Sequence, residues 1–166
     1  MLKILSFVFL LAFFTILHAE SLHPPQPQLG NNFSLKPNQV QSARTCSYTL
    51  IIKTSCSSTR YTRDQISLAF GDKNGNEVHG KRLDDARAKI FERCSTDTFQ
   101  INGPCVHDAC YLYLLRRGSD GWKPEFVKIN SNYTKAATFY FNESLPDGVW
   151  FGFNLCRGRP GSPSPH

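Results

Sequence analysis

DQISLAFG, residues 64–71, repeats its apolar side chains every second position. Ile66, Leu68 and Phe70 fall on one side of an extended chain, and Gln65, Ser67 and Ala69 on the other. A helix would repeat them every three or four positions, so the stretch predicts a strand with one face on a core. Asn74-Gly75 follows closely, and that dipeptide tolerates the positive φ angles of a tight hairpin turn.

The same period recurs along the chain. Tyr48, Leu50 and Ile52 alternate with Thr49, Ile51 and Lys53. Phe99 and Ile101 alternate with Thr98 and Gln100, and Ala137, Phe139 and Phe141 with Thr138 and Tyr140. Val149, Phe151, Phe153 and Leu155 form another inward set. CYLYLL, residues 110–115, is apolar on both faces, as a central strand would be. Turn chemistry separates these runs: Asn102-Gly103-Pro104, Asp120-Gly121 and Pro146-Asp147-Gly148. About eight short strands at hairpin spacing predict an all-β, antiparallel sandwich. Helix is expected at most as a turn or two around 84–88, where an excursion between strands serves equally well. Trp122, just after Asp120-Gly121, is placed to plug one end of the sandwich.

The chain divides into four. Residues 1–19 carry Lys3, an apolar run over 4–17 and a small Ala19, the pattern of a cleaved secretory signal peptide. Residues 20–45 hold Pro24, Pro25, Pro27 and Pro37 and no cysteine, which predicts a disordered linker. Residues 46–156 contain all six cysteines and form one domain. Residues 157–166 are a basic, disordered tail. Export would place the protein outside the cell, in the wall or in a vacuole. There the even number of cysteines predicts a disulfide framework of Cys46, Cys56, Cys94, Cys105, Cys110 and Cys156. Cys105 with Cys110 across a short loop, and Cys46 with Cys156 across the domain ends, are two of the 15 pairings open. No Cys-x-x-Cys occurs, which speaks against a zinc site. Asn32, Asn132 and Asn142 open glycosylation sequons.

The formal net charge of +6 suggests nucleic acid, but residues 46–156 hold 14 Lys and Arg against 12 Asp and Glu. Most of the excess sits in the flanks, so no nucleic-acid face is expected. Arg116-Arg117 reads as a solvated strand end. Neither Gly-x-Ser-x-Gly nor His-Glu-x-x-His is present. His79 and His107 are the domain's two histidines. A weak hydrolase using one as acid and one as base is carried as an alternative. Asp84, Asp85 and Glu92 lie among arginines and read as solvated ion pairs. No catalytic site is expected.

YTLIIKTS (48–55), TRDQISLAFGDKNGNEV (62–78), FERCSTDTFQI (91–101), CYLYLLRRGSDGWKPEFVKI (110–129) and VWFGFNLC (149–156) resemble the plant embryo-specific, ATS-type proteins. The domain of that family is similar to a PLAT, or lipoxygenase-homology, domain. The resemblance spans 46–156 and implies a sandwich of two four-stranded sheets. It also implies a module that contacts lipid, membrane or a protein partner, with a role in seed or embryo development. Some PLAT domains bind calcium in loops at one end, and Asp64 and Asp97 fall at matching positions. Calcium prefers six to eight oxygens. Thr62-Arg63 departs from the family's small Gly-Thr pair and brings a cation beside the site. The other reading is that both Asp residues bond turn backbones. Tyr61, between Arg60 and Arg63, resembles a membrane-facing loop tip; the other reading is that it packs against the rim of the sandwich. A cell-wall carbohydrate-binding module is the remaining alternative, with the CYLYLL aromatics, Tyr140 and Trp150 stacking on sugar rings.

Overall fold

The structure is a computed structural model, and it describes residues 24–36, 44–83 and 89–156. The signal peptide, the C-terminal tail and the helical turn expected at 84–88 lie outside the described residues.

Nine strands form two antiparallel sheets: β1 (Gln28–Leu29), β2 (Thr45–Thr54), β3 (Gln65–Gly71), β4 (Glu77–Gly80), β5 (Thr96–Pro104), β6 (Tyr111–Arg117), β7 (Pro124–Ser131), β8 (Thr134–Tyr140) and β9 (Trp150–Asn154). The order is β1-β9-β6-β3-β4 in one sheet and β5-β2-β7-β8 in the other. The described residues contain no helix. The all-β sandwich and the inward parity of β2 and β3 follow the sequence pattern: Tyr48, Leu50, Ile52, Ile66, Leu68 and Phe70 are all fully buried. β6 is central, between β9 and β3, as its two-faced apolar pattern predicts.

Two expectations need correction. Val149 and Leu155 are exposed, because β9 runs only over Trp150–Asn154 and both residues lie beyond its ends. The first sheet has five strands rather than four, because part of the expected linker joins it. Gln28 pairs with Gly152 and Leu29 with Phe151. The chain then crosses the outer face of the sheet as a strap. Phe33 stacks 4.2 Å from Tyr113 and meets Trp150 edge-on at 5.2 Å. Lys36 closes the strap, its backbone N–H donating to Glu77 and its ammonium to the Gly75 carbonyl, each at 3.0 Å. Tyr111 donates its hydroxyl to the other Glu77 oxygen at 2.9 Å. Proline-rich composition did hide this, since one apolar residue, Phe33, supplies most of the attachment.

The disulfides are Cys46–Cys105, Cys56–Cys94 and Cys110–Cys156, and no cysteine is free. Neither Cys105–Cys110 nor Cys46–Cys156 forms. Strand register explains the outcome. Cys46 pairs with Gly103 across β2 and β5, which brings it beside Cys105. Tyr111 pairs with Asn154, which brings Cys110 beside Cys156. Peptide mapping without reductant is expected to recover these three bridges and no free thiol. Replacing Cys46 and Cys105 together by Ala should cost about 2–5 kcal/mol in denaturant unfolding. A different set of linked peptides would contradict the register of both sheets.

Candidate interaction end of the sandwich

The connecting residues 55–64, 81–83, 89–95, 118–123 and 141–149 gather at one end of the sandwich, where β2 and β6 finish and β3 and β7 begin. Trp122 closes this end. It is 2% exposed, packs 4.9 Å from Phe91 and donates its indole N–H to the buried Thr54 hydroxyl at 3.0 Å. The plug read from the sequence is therefore in place.

Asp64 lies beneath the loops, almost fully buried, in an ion pair with Arg116. Its carboxylate also accepts the backbone N–H groups of Asp120 and Gly121, each at 3.0 Å. Burial alone would raise the Asp64 pKa. The bonds from Asp120, Arg116 and Gly121 outweigh it and hold the group below the usual carboxylate range. Arg116 donates further to the carbonyls of Leu145 at 3.0 Å and Gly118 at 2.7 Å. One guanidinium thus ties three connections together from inside.

Arg116 is a further correction to the sequence reading. It is 7% exposed, not a solvated strand end. A signal for this existed: Leu112, Leu114 and Arg116 share the inward parity of β6, whereas Arg117 points out and is exposed.

Asp97 does a separate job. It accepts the Phe91 N–H at 2.9 Å and the Ser95 hydroxyl at 3.0 Å, and shares no partner with Asp64. Both Asp residues bond turn backbones, as the alternative reading held. The residues present do not fit calcium. A buried carboxylate and two main-chain carbonyls are oxygen donors a calcium ion accepts, but here they already surround the Arg116 charge. Among the described residues, no group of three or more His, Cys, Asp or Glu side chains could hold a metal.

The outermost loop carries Arg60, Tyr61 and Arg63, and the structure brings the last two together. Tyr61 is 46% exposed, with the Arg63 guanidinium 5.0 Å from its ring centroid. The loop is well fixed. Cys56 is bridged to Cys94, the Arg60 carbonyl accepts the Arg93 N–H at 3.0 Å, and the Arg63 N–H donates to Asp120 at 2.9 Å.

The two histidines do not form a pair. His79 sits on β4 beside Trp150, with ring centroids 6.0 Å apart. Burial lowers its pKa most, Glu77 opposes this and Lys81 adds to it. His107 is exposed on the β5–β6 connection at the opposite end, its backbone N–H donating to Asp72 at 3.2 Å. The aromatic platform expected on β6 and β9 is covered, because Phe33 occupies Tyr113 and Trp150. Asn32, Asn132 and Asn142 are all exposed.

Comparison with solved structures agrees with this architecture. The sandwich is similar to part of a lipoxygenase (Delta413-417:GS LOX), with a TM-score of 0.56 and 20% identity over 66% of this chain and 16% of the enzyme. It is similar to part of coral 8R-lipoxygenase, with a TM-score of 0.53 and 19% identity over 64% of this chain and 17% of that one. It is also similar to part of the alpha toxin of Clostridium absonum, with a TM-score of 0.54 and 20% identity over 69% of this chain and 33% of the toxin. At these identities the likeness shows the fold: a PLAT-like β-sandwich that spans a minor part of each larger protein.

Closer relatives are found in Arabidopsis thaliana. Embryo-specific protein ATS3A is 55% identical over 153 residues, covering 92% of this chain and 85% of the relative. Embryo-specific protein ATS3B is 51% identical over 160 residues, covering 96% and 82%. The model of the family Embryo-specific protein 3 (ATS3) matches residues 33–156, starting at the residue that anchors the strap. The chain belongs to the embryo-specific protein 3 (ATS3) family.

Proposed function

We propose that this protein is a secreted, non-catalytic binding module that docks on an anionic lipid surface through Arg60, Tyr61 and Arg63, without calcium. The observation that carries the reading is the exposed Tyr61 flanked by two arginines on a loop held by a disulfide. An aromatic ring suits the interface, and cations suit the headgroups. A fixed loop loses little conformational entropy on docking. Three disulfides suit an oxidising, secretory-type compartment. The signal peptide at 1–19 and glycans at Asn32, Asn132 and Asn142 complete that route. A role in seed or embryo tissue follows the designation of the relatives.

Vesicle co-sedimentation tests the reading. The oxidised protein should pellet with vesicles containing phosphatidylserine and stay in solution with phosphatidylcholine alone, equally with calcium or with chelator. Each arginine near an anionic leaflet contributes about 1 kcal/mol. Replacing Arg60 and Arg63 together by Glu should therefore weaken binding more than about tenfold. Binding that requires calcium, or none to either vesicle, would overturn it.

A further inference from the structure

The two outer faces of the sandwich are not alike. The strap and Phe33 cover the face of β9 and β6. No described segment crosses the outer face of the other sheet, and the strand registers fix what it displays. One row across β5, β2, β7 and β8 is Thr96, Lys53, Phe126 and Tyr140. The next is Thr98, Ile51, Lys128 and Thr138. A third holds Gln100, Thr49 and Asn130, with the Gln100 amide donating to the Thr49 hydroxyl at 2.9 Å.

With strands about 4.8 Å apart and alternate residues about 7 Å apart, these rows make an open field about 14 Å on each side. None of its positions is an Asp or Glu, and two are Lys. Tyr140 is 61% exposed and meets Phe126 edge-on at 6.0 Å. Phe126 and Tyr140 thus form an aromatic edge beside a plane of hydroxyl and amide groups, a surface on which a sugar ring can stack. The Lys53 ammonium donates to the Cys94 carbonyl at 2.6 Å, which fixes its charge where the first row meets the loop end.

We infer that this face binds an extended acidic polysaccharide, a chain of uronic acid residues. Tyr140 stacks on one sugar ring, Lys128 and Lys53 meet carboxylates, and the Thr, Asn and Gln rows bond hydroxyl groups. An open face about three strand spacings wide suits a linear glycan, and two cations in rows that hold no Asp or Glu favour an acidic one over a neutral one. The field starts beside the loop end but is built from other side chains, so it does not depend on the role of Arg60, Tyr61 and Arg63.

The test is native affinity electrophoresis of the full oxidised protein in gels containing polygalacturonate, its fully methyl-esterified form, or a neutral β-glucan, all with chelator. Polygalacturonate should retard the protein, and the other two should not. Tyr140→Ala with Lys128→Glu should weaken retardation at least tenfold while the protein still unfolds cooperatively, since both residues lie on the outer face and not in the core. Tyr61→Ala should leave it intact, which separates this outcome from the lipid reading. No retardation by polygalacturonate overturns the inference. So does equal retardation by the neutral glucan, or by dextran sulfate to the same extent in the double variant, which would reveal charge attraction alone.

Discussion

Asp64→Ala is expected to destabilise the protein by about 3–5 kcal/mol, because it leaves the Arg116 guanidinium buried without its counter-charge. The Asp120 and Gly121 N–H groups lose their acceptor in the same step. Asp64→Ala combined with Arg116→Met should recover much of the loss, since an apolar pair of similar bulk leaves no uncompensated charge inside. Equilibrium denaturant unfolding measures both. The acid limb should change as well. Asp64 has a folded pKa below its unfolded value of about 3.9. Its contribution is therefore fully present above that value and is lost as pH falls through the folded pKa. The single variant should show a shallower loss of stability below about pH 4 than the parent. An unchanged acid limb together with a loss under 1 kcal/mol would mean that the pair does not organise the loops.

Trp122→Ala is expected to cost about 3–5 kcal/mol and to lower the thermal midpoint by more than about 10 °C. Two terms add here: a cavity opens against Phe91, and the buried Thr54 hydroxyl loses its donor. Trp122→Phe separates them. It keeps a ring against Phe91 but gives no N–H to Thr54, so it should fall between the parent and the Ala variant. If Phe and Ala cost the same, packing against Phe91 contributes little.

How far the sequence carried the reading differs by element. Strands with one dry face announced themselves, because alternation of Ile66, Leu68 and Phe70 has no other cheap explanation. Trp122 was legible from its Asp-Gly turn. Arg116 was not read correctly, since a charged pair at a strand end is usually solvated; only its parity with Leu112 and Leu114 carried the information. Disulfide pairing stayed open because it depends on which strands become neighbours, a property of the whole topology. The strap escaped because a Pro-rich segment with a single aromatic anchor has no periodicity to detect. The loop proposed to dock was visible as Arg60-Tyr61-Thr62-Arg63, but its fixed shape needs Cys94, Arg93 and Asp120, which come from distant parts of the chain.

The strap also moves the boundary of the folding unit. A truncation that starts at the first cysteine looks natural on paper and would keep every disulfide. It would also undress Tyr113 and Trp150 and release Glu77 from Lys36, turning a finished outer wall into a wet aromatic strip beside the newly unpaired edge of β9. Such a shortened protein would be prone to self-association, and stickiness seen in it would report on the cut rather than on the native molecule.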